Sequence, residues 1–109
     1  MKRGDVVAVA AVGDYGKLRP AVIVQTDALP AKHASVVVCQ MTSDLMDAPD
    51  VRVTIDPDEQ NGLRTRSQIM ADKLVTIHRE RVGKRIGILD AKDLARLDVA
   101  IAFVMGLTD

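Results

Sequence analysis

The sequence GKLRPAVIVQ, residues 16–25, joins a basic loop to an apolar strand and is the organising feature of the chain. Gly16 permits backbone angles that other residues avoid, and Pro20 fixes its own φ while favouring an extended backbone at Arg19. Because proline has no N–H to donate, it suits the first position of a strand. We therefore expect a strand over residues 20–25 with Arg19 at its start, where a planar guanidinium can hold a phosphate or a carboxylate. A solvated charge ahead of a strand is the alternative explanation of the same residues.

Short apolar runs separated by turns precede one amphipathic helix, which predicts a mainly β domain. Strands are expected at residues 5–12, 20–25, 36–41, 51–55, 67–71, 74–77 and 85–89, with a brief turn at 79–82. After Asp90 the apolar residues recur at spacings of three and four, namely Leu94, Leu97, Ile101, Val104 and Met105. Gly106 is placed to end this helix, and Leu107 to close it with an apolar contact. Several strands followed by one helix favour a strongly curved, barrel-like antiparallel sheet.

Length and composition predict one domain that spans residues 1–109. Hydrophobic residues make up 48% of the chain and charged residues 28%, which is the balance of a globular protein. Cys39 is the only cysteine, so no internal disulfide can form, and a reduced cytoplasmic setting is expected. No stretch approaches the roughly 20 apolar residues of a membrane span, so no membrane association is expected.

The formal net charge is zero, which argues mildly against a nucleic-acid partner. The charges are nevertheless segregated along the sequence. Residues 44–59 contain six acids and one base, whereas residues 60–85 contain seven bases and two acids. Such a division can give a neutral protein one basic face, although charges scattered over solvated loops would produce the same count.

The residue types favour phosphate binding over metal or covalent chemistry. His33 and His78 lie far apart in the sequence, and neither has an obvious catalytic partner. The acidic stretch 44–59 leaves a divalent-cation site as an alternative, but most acidic turns are only solvated. What remains is Arg19 at one strand end and Thr42 at another. The side chains that can converge on them from loops are those of Lys17, Arg64, Arg66 and Gln68.

Five motifs resemble the MazF/PemK family of toxin endoribonucleases, and together they span nearly the whole chain. They are residues 2–7 (KRGDVV), 16–25, 40–43 (QMTS), 66–77 (RSQIMADKLVTI) and 86–89 (IGIL), followed by the closing helix. The Gly-x-x-Arg-Pro-Ala-Val segment is the most specific of them.

The resemblance implies an SH3-like barrel of the CcdB/MazF type, a homodimer and a cognate antitoxin that inhibits the toxin. It also implies sequence-specific cleavage of single-stranded RNA, such as messenger RNA, without a metal or other cofactor. Arg19 and Thr42 occupy the family's catalytic positions. The RNA-binding residues implied are Lys17, Pro20, Arg64, Arg66, Ser67 and Gln68. Relatives often carry aromatic residues on the first strand where this chain has alanine and valine, so Tyr15 is the candidate for base stacking.

Two functions of other classes remain open at this point. A CcdB-like poison of DNA gyrase shares the fold, but such proteins resemble this chain less in the Arg-Pro segment and depend on a C-terminal tryptophan. This chain has no tryptophan. A non-catalytic SH3-like binding module is the other alternative, in which Arg19 is a structural charge.

Overall fold

A computed structural model describes residues 1–10 and 17–108. In these residues one six-stranded antiparallel sheet has the order β4-β5-β3-β2-β1-β6. The strands are β1 (Asp5–Ala10), β2 (Leu18–Ile23), β3 (Ser35–Thr42), β4 (Arg52–Ile55), β5 (Ser67–His78) and β6 (Val82–Ile88). A 3₁₀ turn (Arg79–Arg81) leads into β6, and a helix, α1 (Ala91–Val104), follows it. The mainly β class is therefore confirmed, as is the short turn after residue 78.

Strand β1 is buried on both faces, as its apolar sequence predicted. Val6 belongs to an apolar cluster that packs against α1, whereas Val7 and Val9 belong to a second cluster on the other face. Residues 11 and 12, which were expected to extend this strand, lie outside the described residues. Because β1 is enclosed on both faces, its residues need to be small and aliphatic, which explains the alanine and valine composition.

Strand β2 begins earlier than predicted, and Pro20 is its third residue. Pro20 lies opposite Ala8 of β1, whereas the ladder to β3 begins only at Ala21. The interior proline is tolerated because no β3 residue is paired with it. Arg19 is accordingly part of the strand, opposite Val9, and not ahead of it.

The prediction of two strands at 67–71 and 74–77 was wrong, because β5 is one continuous strand of 12 residues. Its pairing with β3 shifts register between Cys39 and Met41. Met41 pairs with Ile69 and Cys39 with Leu74, so an irregularity of the bulge type absorbs the charged pair Asp72-Lys73 without ending the strand.

The outermost strands, β4 and β6, do not pair with each other in the described residues, so the sheet is not closed into a barrel by a strand ladder. The loop after β4 nevertheless contacts β6, where the Ile88 N–H donates to the Gln60 carbonyl at 2.9 Å. Gly62 has φ of +69°, and a Cβ atom on it would lie 2.2 Å from the Ile86 carbonyl oxygen. Glycine therefore permits the close approach that brings this loop against β6.

Helix α1 begins and ends much as its sequence predicted. The Asp90 side chain accepts a hydrogen bond from the Asp93 N–H at 2.8 Å, and Gly106 has φ of +74° just beyond the helix. The Leu107 N–H donates to the Ala102 carbonyl at 2.8 Å, the backbone bond of a Schellman ending. The prediction that Leu107 makes a closing apolar contact is wrong, because that residue is 76% exposed.

Leu94, Leu97, Ile101 and Val104 pack on the core as predicted, whereas Met105 is exposed. No helix in the described part of the chain is long and apolar enough to cross a membrane.

Candidate active site: a basic groove beside the ends of β2 and β3

A groove of about 700 Å³ opens where β2 begins and β3 ends. The two strands are antiparallel neighbours, so the start of one lies beside the end of the other. Ala21 pairs with Gln40, and continuing this register by two residues on each strand brings Arg19 level with Thr42. Both residues line the groove. The juxtaposition of the two candidate catalytic side chains therefore follows from the strand pairing.

The groove is positively charged although the whole chain is neutral. Its cations are Lys17, Arg19, Arg64, Lys84 and Arg85, and no carboxylate is among its described lining residues. The acids of residues 44–59 lie elsewhere. Three of these cations, Arg64, Lys84 and Arg85, come from the basic segment 60–85, and Lys17 and Arg19 come from the residues around the start of β2. Their described surroundings favour anionic ligands.

The Thr42 hydroxyl is oriented by the loop that follows it. Its Oγ1 accepts a hydrogen bond from the Asp44 N–H at 3.0 Å. An oxygen that already accepts one bond keeps its own proton to donate. Thr42, which is half-buried at the groove wall, can therefore donate a hydrogen bond to a phosphate oxygen bound in the groove.

Two of the predicted RNA-binding residues do not line the groove. Arg66 forms an ion pair with Asp56, with 3.1 Å between Nε and Oδ1, and both side chains are well exposed. Gln68 is 6% exposed, and its amide bonds to the backbone of Met46 and to Thr54. Both residues instead border a smaller cavity of about 320 Å³, which residues 45–48 of the loop after β3 also line.

The other predicted site residues are brought together in the groove, namely Lys17, Arg19, Pro20, Thr42, Arg64 and Ser67. Ser67 is 5% exposed, and its hydroxyl donates to the Thr65 carbonyl at 3.0 Å. Tyr15, the candidate for base stacking, and Gly16 lie outside the described residues.

Sequence reasoning did not assign Lys84 and Arg85 to the site. Both bases belong to the charge-rich segment 60–85, but their place in the groove depends on the pairing of β6 with β1. Two apolar side chains of the groove were also missed. Leu18 is 63% exposed and Ile86 is 37% exposed, so the groove combines cationic groups with apolar surface.

Comparison with known proteins agrees with the motif resemblance. The model of the PemK-like, MazF-like toxin family of type II toxin-antitoxin systems matches residues 2–105. A Mycolicibacterium smegmatis protein described as a probable endoribonuclease MazF is 41% identical over 108 residues, which cover 98% of each chain.

Solved structures give the same result for the fold. Mycobacterium tuberculosis toxin MazF-mt6 superposes with a TM-score of 0.80 at 25% identity, covering 98% of this chain and 100% of that one. A mycobacterial endoribonuclease in complex with its cognate antitoxin superposes with a TM-score of 0.84 at 22% identity, covering 100% and 98%. Since the family model spans nearly the whole length and the relative is similar throughout, this chain belongs to the PemK-like, MazF-like toxin family of type II toxin-antitoxin systems.

Proposed function

We propose that this chain is the toxin of a type II toxin-antitoxin system and acts as a sequence-specific endoribonuclease on single-stranded RNA, including messenger RNA. The proposal rests on the groove, where Arg19 lies level with Thr42. Arg19 is one of five cations that line the groove, and the described lining contains no carboxylate. A polyanionic strand is the ligand that such a groove attracts most strongly. Family membership and the similarity to a probable endoribonuclease MazF support RNA as that strand.

RNA carries its own nucleophile, so the enzyme needs neither a covalent residue nor a metal. The 2′-oxygen forms a bond to phosphorus while the bond from phosphorus to the 5′-oxygen breaks. The 2′-hydroxyl loses its proton to water and the 5′-oxygen gains one, which leaves a 2′,3′-cyclic phosphate and a 5′-hydroxyl.

Arg19 stabilises the negative charge that gathers on the phosphorane oxygens, because a guanidinium presents several donors in a fixed plane. It is not a general base, since a guanidinium is hardly ever deprotonated. Thr42 donates its hydroxyl proton to a phosphate oxygen and orients the reacting group. The hydroxyl must be the donor because an ionised phosphate oxygen can only accept, and the bond from the Asp44 N–H holds Thr42 Oγ1 in place.

The remaining groove residues hold the strand on either side of the reacting phosphate. Lys17 and Arg64 contact neighbouring phosphates, and Pro20 and Ser67 shape the wall against which the nucleotides lie. We extend this set to Lys84 and Arg85, which line the opposite side of the groove. Arg66 contacts RNA only if the strand reaches beyond the groove, because its side chain is paired with Asp56.

The same groove accommodates the antitoxin. An acidic segment with apolar side chains would satisfy both the cations and the exposed Leu18 and Ile86, and would thereby exclude RNA. We also propose a homodimer, for which the exposed apolar residues Val99 and Phe103 of α1 offer surface to cover. The reduced thiol of Cys39 and the RNA substrate favour a cytoplasmic location.

The test is incubation of the purified chain with end-labelled single-stranded RNA in EDTA, beside an all-DNA copy, followed by identification of the product ends. We expect cleavage of RNA alone, with a cyclic phosphate on one product and a 5′-hydroxyl on the other. Arg19→Ala should lower the cleavage rate by about 10²–10³-fold, the usual loss on removing one donor to a developing oxyanion.

Arg81→Ala is the matched control, because Arg81 is exposed in the 3₁₀ turn and does not line the groove. Both variants should unfold at nearly the temperature of the parent chain. Undiminished cleavage by Arg19→Ala would remove Arg19 from the mechanism. Absence of cleavage by the parent chain over varied RNA sequences would contradict the nuclease and favour a binding role.

A further inference from the structure

The loop that follows Thr42 is held by side chains and not by a strand ladder. Residues 43–48 lie between β3 and β4, and none of them pairs with a strand. The Ala48 N–H donates to the Met46 carbonyl at 3.0 Å, and the Ala48 carbonyl accepts from the Val51 and Arg52 N–H groups at 3.1 and 2.9 Å. These bonds form local turns, so the loop needs contacts with other elements to keep one position on the sheet.

Gln68 supplies those contacts. Its Oε1 accepts from the Met46 N–H at 3.0 Å, and its Nε2 donates to the Met46 carbonyl at 2.9 Å. The amide therefore binds both backbone groups of one residue 22 positions away, as a neighbouring strand would. A third bond joins Nε2 to the Thr54 hydroxyl oxygen at 3.2 Å.

The amide has no donor left for a substrate. A glutamine side chain carries two N–H donors, and both are used by Met46 and Thr54. The residue is also only 6% exposed and does not line the groove. Direct contact with RNA, which the motif resemblance implied for Gln68, does not fit this arrangement.

The loop that Gln68 holds is also bonded to the proposed catalytic hydroxyl, through a residue two positions after Thr42. Gln68 pairs with Thr42 across β3 and β5, and Met46 lies four positions after Thr42. Between them, the Asp44 N–H donates to Thr42 Oγ1 at 3.0 Å. That bond holds Thr42 Oγ1 in place, so a displaced loop would free the threonine side chain to change its rotamer.

We propose that Gln68 is a positioning residue, which fixes the 43–48 loop through Met46 and thereby holds the Thr42 hydroxyl as a donor toward the reacting phosphate. This inference rests on the proposed nuclease function and changes the role of Gln68 within it. Loss of the clamp lowers the rate of the chemical step and leaves RNA affinity nearly unchanged, whereas loss of a direct contact would weaken binding.

Gln68→Glu tests the clamp with a side chain of the same shape. The ionised form, which prevails at high pH, cannot donate to the Met46 carbonyl, and we expect kcat there to fall about tenfold with little change in KM. Burial favours the neutral form of a carboxyl group, and that form can donate. Activity relative to the parent should therefore recover as the pH is lowered.

Thr54→Val is the matched control. It removes the third hydrogen bond while both bonds to Met46 remain, so kcat should stay close to that of the parent at every pH. If Gln68→Glu raises KM without lowering kcat, or shows no recovery relative to the parent at low pH, the positioning role is refuted.

Hydrogen exchange gives a readout that does not need RNA. In Gln68→Met the amides of Met46 and Asp44 should exchange faster than in the parent, because both the clamp and the bond to Thr42 are weakened. Unchanged exchange at both amides would overturn the clamp even in an active enzyme. A parent chain that cleaves no RNA would instead overturn the proposed function, whatever the exchange rates.

Discussion

Salt should weaken RNA binding to an extent set by the number of cations in the groove. Lys17, Arg19, Arg64, Lys84 and Arg85 line it, so at most five phosphates can be neutralised directly. Each neutralised phosphate of a single strand contributes about −0.7 to the slope of log K against log salt concentration, which gives an upper limit of about −3.5. Affinity should then fall by up to about 100-fold between about 50 and 200 mM salt.

The double substitution Lys84→Ala with Arg85→Ala removes two of the five groove cations. Both side chains are exposed on β6, so their removal should leave the fold intact. Three groove cations remain, and the limiting slope becomes about −2.1, which corresponds to a fall of about 20-fold over the same range of salt. The change in slope, about 1.4, is a count of two phosphate contacts and does not depend on the absolute affinity.

Fluorescence anisotropy of a labelled RNA oligonucleotide with 2′-O-methyl groups measures this without cleavage, because the attacking hydroxyl is blocked. The control is Arg81→Ala with Lys92→Ala, two exposed bases that do not line the groove. It should keep the slope of the parent. If both double variants lowered the slope equally, net charge and not the groove would control RNA binding, and the count of groove contacts would be wrong.

Two further predictions concern the fold. Gly62→Ala should destabilise the chain by several kcal/mol, about the cost of backbone strain plus a steric clash, because its Cβ would meet the Ile86 carbonyl oxygen at 2.2 Å. Gly106→Ala has open space around it and should cost only about 1 kcal/mol for its positive φ, so urea unfolding of the two variants should differ clearly. Burial raises the pKa of the Cys39 thiol from 9.0 to about 12, so this group stabilises the fold fully below pH 9.0 and loses that contribution as the pH rises toward 12. The parent should accordingly resist thiol reagents near neutral pH until it unfolds, and Cys39→Ala should show a smaller loss of unfolding free energy between those pH values.

The sequence predicted Arg19 and Thr42 each at the end of a strand, but it did not show that the two ends meet. Antiparallel neighbours bring such ends together, so the motif positions needed only the correct strand order to become one site. The order of the strands is not written in any local pattern. Lys84 and Arg85 were missed for that reason, since β6 reaches the groove only by crossing to pair with β1.

The role of Gln68 could not be read from the sequence for a different reason. Ser67 and Gln68 are adjacent on β5, and adjacent strand residues point to opposite faces. Ser67 lines the groove, whereas Gln68 meets Met46 of a loop 22 residues earlier. The motif specifies the order of residue types, but it does not predict which face of the strand is covered by a loop distant in the sequence.

The charge of the groove connects substrate binding with inhibition. Five cations share a groove whose described lining contains no carboxylate, so this lining attracts anions. The attraction applies to an RNA strand and to an acidic protein segment alike. The exposed Leu18 and Ile86 in the same groove favour the protein segment further, because it can bury apolar side chains against them. The cations proposed to bind RNA therefore lie on the same surface that an antitoxin can bind to block cleavage.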